Sequence, residues 1–148
     1  MKKIIFGLIL VGLLSNMSST VALQKGFYKD DLSDNLYVEY TIEEIPSSRL
    51  TQTRIGKKTA SVKSGSTVLW TVTVTGTFEY TGSTSICTAS SVTTTCPATN
   101  WKITSKSASK SGATASAKAT ASRYNNGSVV ETKTESVFLV CGSDGTLY

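Results

Sequence analysis

The stretch Thr67–Gly82, TVLWTVTVTGTFEYTG, alternates between two kinds of side chain. Val68, Trp70, Val72, Val74, Phe78 and Tyr80 fall on one parity. Thr71, Thr73, Thr75, Thr77 and Glu79 fall on the other. Successive side chains of a strand point to opposite faces, so a period of two predicts a long strand with one buried and one solvated face. Gly76 interrupts the apolar row, where a long strand is expected to bend or bulge. Such a strand needs a second layer over its apolar face.

The rest of the chain supplies similar strands. Expected strands run at Arg54–Lys63, Val68–Tyr80, Ile86–Thr95, Trp101–Ser109, Ala113–Tyr124 and Val129–Cys141, with turn signals at Ser64-Gly65, Gly82-Ser83, Pro97, Ser111-Gly112 and Asn126-Gly127. No helical period competes after the first residues. This spacing predicts an all-β fold, an immunoglobulin-like antiparallel sandwich of about six to eight strands.

Upstream, Lys2 and Lys3 precede the short apolar run Ile4–Leu14, and Thr20-Val21-Ala22 offers small residues for cleavage. Residues 1–22 are therefore expected to be a signal peptide, and the mature chain to be secreted and extracellular. No cysteine follows the apolar run, and no second hydrophobic run or C-terminal sorting tail is seen, so neither a lipid anchor nor a membrane span is expected after cleavage. Residues 23–52 are read as an acidic arm containing one edge strand, LYVEYTIEE, with Leu36, Val38, Tyr40 and Ile42 on its apolar side. Residues 53–148 are read as the sandwich domain. Leu, Ile, Val and Phe make up only about one residue in five of the mature chain, a thin core for one domain.

A thin core in an exported chain favours a covalent staple. Cys87 and Cys96 would lie roughly 30 Å apart on one continuous strand, far beyond disulfide reach. One of them is expected to pair with Cys141, and Cys87, beside the strand-opening Ile86, is favoured. Cys96 is then the free thiol, inert or available for dimerisation.

The chain contains no histidine. That removes Ser-His-Asp and Cys-His machinery and His-dependent zinc sites. Glu79, Glu131 and Glu135 offer no obvious carboxylate pair for glycoside hydrolysis. No enzyme activity, metal or cofactor is expected. Lys102, Lys106 and Lys110 share one parity, with Lys118 beside them in the next strand. With a three-residue loop Lys110–Gly112 they form one outer basic face, opposite a face of Trp101, Ile103 and the alanines at 113–121. A two-residue Asn126-Gly127 turn then places Phe138 and Val140 inside and pairs Lys118 with Glu135 outside. A basic face of this kind suits anionic cell-wall or host glycans better than nucleic acid, because no exposed aromatics interleave with the lysines. The competing reading is a solvated face whose lysines protect sheet edges. Threonine arrays for ice or sugar would need matching rows on neighbouring strands, which the sequence does not show.

The ribbon with Gly76, the hairpin WKITSKSASKSGATASAKATA, and Cys87 with Cys141 before GSDGTL resemble a group of uncharacterised small secreted all-β proteins of Gram-positive, often gut-dwelling bacteria. The resemblance covers about residues 53–148. It implies export and an all-β domain without assigned activity, and adds support for Cys87–Cys141 pairing. The expected role is a secreted, non-enzymatic binding module, with an extracellular protein as the other class of partner. A structural subunit joining copies through edge strands or Cys96 is the alternative.

Overall fold

The computed structural model describes residues 27–28, 36–45 and 52–148. The expected signal peptide and most of the arm lie outside them. Strands run β1 Phe27–Tyr28, β2 Leu36–Ile45, β3 Thr53–Ser64, β4 Thr67–Tyr80, β5 Ser85–Thr95, β6 Trp101–Ser111, β7 Thr114–Asn125 and β8 Ser128–Val140. They form one sheet ordered β1-β2-β3-β4-β5 and a second ordered β6-β7-β8, with every pairing antiparallel. The sandwich is as expected. Its connectivity is a meander, each strand beside its sequence neighbour, whereas immunoglobulin domains use Greek-key crossings between sheets.

The alternation that defined β4 is its burial pattern. Trp70, Val72, Val74 and Phe78 are fully buried, while the threonines between them are half-exposed. Each large apolar side chain so buried stabilises by roughly 1.5–3 kcal/mol. Facing them on β7, Ala115, Ala117, Ala119 and Ala121 are buried. Their small volume leaves room for the Trp70 and Phe78 rings.

The arm boundary needs correction. β2 pairs with β3 from Leu36↔Ser64 to Ile45↔Ile55, and Leu36, Val38 and Ile42 are buried. Residues 36–45 therefore belong to the sandwich.

Register also assembles rows that the sequence did not reveal. Thr41, Thr59, Thr73 and Thr93 align across β2–β5 on the outer face. Thr59 bonds Thr73 at 2.8 Å and Thr71 bonds Thr95 at 2.7 Å. Each of these two hydroxyl pairs is a stabilising cross-strand contact on the outer face.

Two bulges decide the second sheet. Asn126 and Gly127 form the expected turn, with φ of 49° and 81°, both positive as a type I′ hairpin requires. Pairing then shifts: Tyr124 faces Val129 but Arg123 faces Glu131, leaving Val130 as an extra residue. A one-residue slip exchanges the faces of a strand. Beyond the bulge Val137 and Leu139 point inward against Ala117 and Ala115, while Phe138 points outward and is 55% exposed. Phe138 and Val140 were expected inside; both face away from the alanines.

The β6–β7 loop is also shorter than expected. Ser111 pairs with Thr114 around Gly112-Ala113, with Gly112 at φ 53°. Among the described residues Asn126 is the only non-glycine with positive φ, so Gly112-Ala113 matches the type II′ pattern. Thr104 is the compensating extra residue: Ile103 faces Ala121, and Ser105 faces Thr120. That bulge returns Trp101 and Ile103 to the alanine side.

Candidate functional site

The Thr104 bulge divides the expected lysine face. Lys102 lies opposite Ser122, and Lys118 lies opposite Ser107, both on the outer side of the second sheet. Lys106 and Lys110 lie opposite Ala119 and Ala115, so they share the parity of the inner face. Because β6 ends its sheet, Lys106 and Lys110 remain exposed there. Lys110 Nζ reaches the Cys87 carbonyl oxygen at 3.5 Å, across to β5. The four lysines flank an edge strand from both sides instead of covering one plane. Lys102 also sits 5.1 Å from the centroid of the Tyr124 ring. The expected Lys118–Glu135 pair does not form, since Lys118 faces Ser136.

No acidic residue occurs between Glu79 and Glu131, a span that contains all of β5, β6 and β7. The three described ion pairs are Arg54–Glu44, Lys63–Glu39 and Arg123–Glu131. None involves Lys102, Lys106, Lys110 or Lys118. Among the described residues the β6 side is thus a cationic edge without neutralising carboxylates.

On its outer face Ser107, Ser109, Ser116, Lys118, Ser136 and Phe138 line a shallow depression of about 200 Å³. Phe138 is the residue that the sequence reading missed. Its only signal would have been the Val130 bulge, which strand periodicity does not reveal. An exposed ring, small hydroxyls and one ammonium together can stack on a sugar face, hydrogen-bond its hydroxyls and meet an acidic substituent.

All three cysteines are free thiols, which overturns the expected Cys87–Cys141 bridge. Each thiol turns to a local carbonyl instead: Cys87 Sγ donates to Ala89 O at 3.2 Å, and Cys141 Sγ to Gly142 O at 3.4 Å. The staple between sheets is made by backbone. Cys87 N donates to Gly112 O at 2.7 Å, joining β5 to the β6–β7 hairpin tip across the sheets, and Cys141 N, just past β8, donates to Ala113 O at 3.1 Å beside it. Cys96 is half-buried and packs against the core. Burial raises all three thiols above the usual cysteine range, which suppresses the nucleophilic thiolate.

Inside the sandwich, β8 carries charge. Glu131, Lys133 and Glu135 take the inward parity beyond the bulge, with Lys133 and Glu135 opposite Ala121 and Ala119. Tyr40 donates to Glu135 Oε1 at 2.6 Å, and Lys58 Nζ sits 6.0 Å from the Tyr40 ring centroid. Burial, then the bond to Glu135 and its charge, raises the Tyr40 hydroxyl well above the usual tyrosine range; burial lowers Lys58. A raised acid favours the neutral form in the folded chain. Its contribution is present below about pH 10, the ordinary tyrosine value, and fades as pH rises through the folded value. Lys58 acts oppositely, because its lowered folded pKa makes stability rise with pH just below its ordinary range. Tyr40→Phe is expected to cost about 1.5 kcal/mol at neutral pH, by leaving Glu135 without its donor. It should also flatten the loss of stability above pH 10. Urea unfolding at pH 8 and pH 11 checks both, and an unchanged alkaline slope would remove Tyr40 from that role.

Among the described residues no group of three or more His, Cys, Asp or Glu side chains could hold a metal ion. No described helix is long and apolar enough to cross a membrane. No protein-family model, curated protein or solved structure matches the chain.

Proposed function

We propose that this chain is an exported, non-enzymatic binding module that takes an anionic glycan of a cell surface along the β6 edge and its outer face. The observation that carries this reading is the acid-free span from β5 to β7, whose four exposed lysines have no carboxylate partner among the described residues. Unpaired cations along one edge attract polyanions over several ångströms and retain them by releasing counterions. The depression at Phe138 and Lys118 adds a place for one sugar ring. Edge lysines also disfavour pairing with another sheet, and Cys96 packs against the core, so self-assembly through β6 or Cys96 has less support.

The test is binding of the mature chain to sulfated glycans, phosphate-bearing wall polymers and neutral glycans across a salt series. Saturable binding to an anionic glycan is expected, weakening as salt rises. Lys102/Lys106/Lys110→Ser should lower the log–log salt slope by roughly 2. Phe138→Ser should weaken binding without changing that slope. Lys63→Ser, whose lysine is already paired with Glu39, serves as control. Absence of binding at low salt, or equal weakening by Lys63→Ser, would refute the reading.

A further inference from the structure

The larger sheet ends at β5, and β5 carries few of the usual guards of a free edge. Its sequence, SICTASSVTTT, has no charged residue and no proline, and its bulge at Thr88 lies near its start. An unguarded edge is a template for another strand. Main-chain direction alternates along a strand together with the side chains. Cys87 faces inward, and its N–H leaves β4 to reach Gly112 O, so inward residues of β5 turn their main chain away from the sheet. Past the Thr88 bulge these are Ser90, Val92 and Thr94, opposite Gly76, Val74 and Val72. Among the described residues no backbone hydrogen bond joins any of the three to β6.

Beside this edge lies a ledge. Ser90 Oγ donates to Ser116 O at 3.3 Å, which sets β5 over β7. β6 is one strand further out, and its inward-parity residues Lys106, Ala108 and Lys110 are exposed. A strand added to β5 at the usual spacing of about 4.8 Å therefore runs over that row. Lys106 and Lys110 stand roughly 13 Å apart along β6, with Ala108 between them. Neither takes part in an ion pair among the described residues.

Charge selects the partner. The β5 strand of a second copy contains no acid and brings its own Lys106 and Lys110, so like charges would meet. We propose that the β5 edge takes an extended acidic peptide as a further strand of the larger sheet. Acidic side chains at i and i+4 lie over Lys106 and Lys110, and a small apolar one at i+2 lies over Ala108. Main-chain hydrogen bonds to Ser90, Val92 and Thr94 hold the strand, and the two lysines select its side chains. The inference goes beyond the glycan reading but shares Lys106 and Lys110 with it, so the two are separated by main-chain contacts and by face.

The probe is the end-blocked heptapeptide Thr-Glu-Thr-Val-Thr-Glu-Thr, fluorescently labelled and titrated with the mature chain at low salt. Saturable binding is expected, and Lys106→Ser/Lys110→Ser should weaken it on the order of tenfold, the loss of two partly exposed ion pairs. Lys106→Glu/Lys110→Glu should instead prefer the peptide with lysine in place of glutamate. Thr94→Pro removes an N–H that points to the free edge, where sheets tolerate proline, and should abolish binding in a folded chain. Of two analogues, N-methylated on the Glu and Val residues or on the Thr residues, at least one should fail to bind. Phe138→Ser, on the outer face of the other sheet, should bind the peptide normally. The proposal fails if the parent peptide does not bind, if a peptide of the same composition with adjacent glutamates binds equally, or if both N-methylated analogues bind like the parent. A homodimer that Thr94→Pro dissolves would give the edge to a second copy and overturn it. Peptide binding without glycan binding would overturn only the polymer reading, and the reverse only this one.

Discussion

Gly76→Val is expected to destabilise the chain by about 3 kcal/mol and to lower Tm by on the order of 10 °C. A Cβ at Gly76 would stand 2.5 Å from the tip of the Phe78 ring and 2.9 Å from the Ala115 Cβ. Phe78 is fully buried and Ala115 is anchored in the facing sheet, so neither can yield cheaply. Across the ladder Gly76 pairs with Gly56, where a Cβ would run into the Leu147 side chain. The two glycines form a hollow in the larger sheet that receives the Phe78 ring over Gly76 and the Leu147 and Leu139 side chains over Gly56. The role expected from sequence was a bend. The bulge lies close by, at Thr88 on β5, where Thr77 faces Ala89 and Phe78 faces Cys87. Calorimetry on Gly76→Ala and Gly76→Val checks the packing account, which predicts that the loss grows with side-chain size. Equal small losses would return Gly76 to a backbone role.

Leu139→Ala should cost about 2–5 kcal/mol, whereas Phe138→Ser should change stability by no more than about 0.5 kcal/mol. The contrast follows from the Val130 bulge. Leu139 is 0% exposed against Ala115, while its larger neighbour faces water beside Ser116. If denaturant titrations reversed that order, the register of β8 would be one residue from the one described, and Glu135 would return to the surface opposite Lys118. The same pair of variants therefore bears on the candidate site, because the sugar-facing role proposed for Phe138 requires this register.

Much of the architecture is legible in local pattern. The six strands expected after residue 53 all form, each within a few residues of its expected ends. Asn126-Gly127 makes the turn its residues demand, and the inward set Leu36, Val38 and Ile42 is buried as its alternation requires. Faces failed where two strands disagree by one residue. From Lys102 to Lys110 the sequence alternates lysine and alanine with hydroxyls, so the run fits either face, and Thr104 looks like any other outward threonine. Similarly, Val129-Val130 gives no sign of which valine lies outside the ladder. The candidate site depends on those two residues: the bulge at Thr104 spreads the lysines around the β6 edge, and the bulge at Val130 exposes Phe138.

What the sequence determined by itself is the set of strands, their turns and the sidedness of β2 and β4, because each rests on interactions within one strand or one turn. Only the tertiary structure decided how β6, β7 and β8 pair, which thiols stay free and which charges enter the interior. A bulge is a property of two strands together: one extra residue on one of them is stable only if the partner's side chains fit the shifted face. Here the narrow alanine row of β7 accepts Val137 and Leu139, and the same shift carries Glu131, Lys133 and Glu135 inward with them.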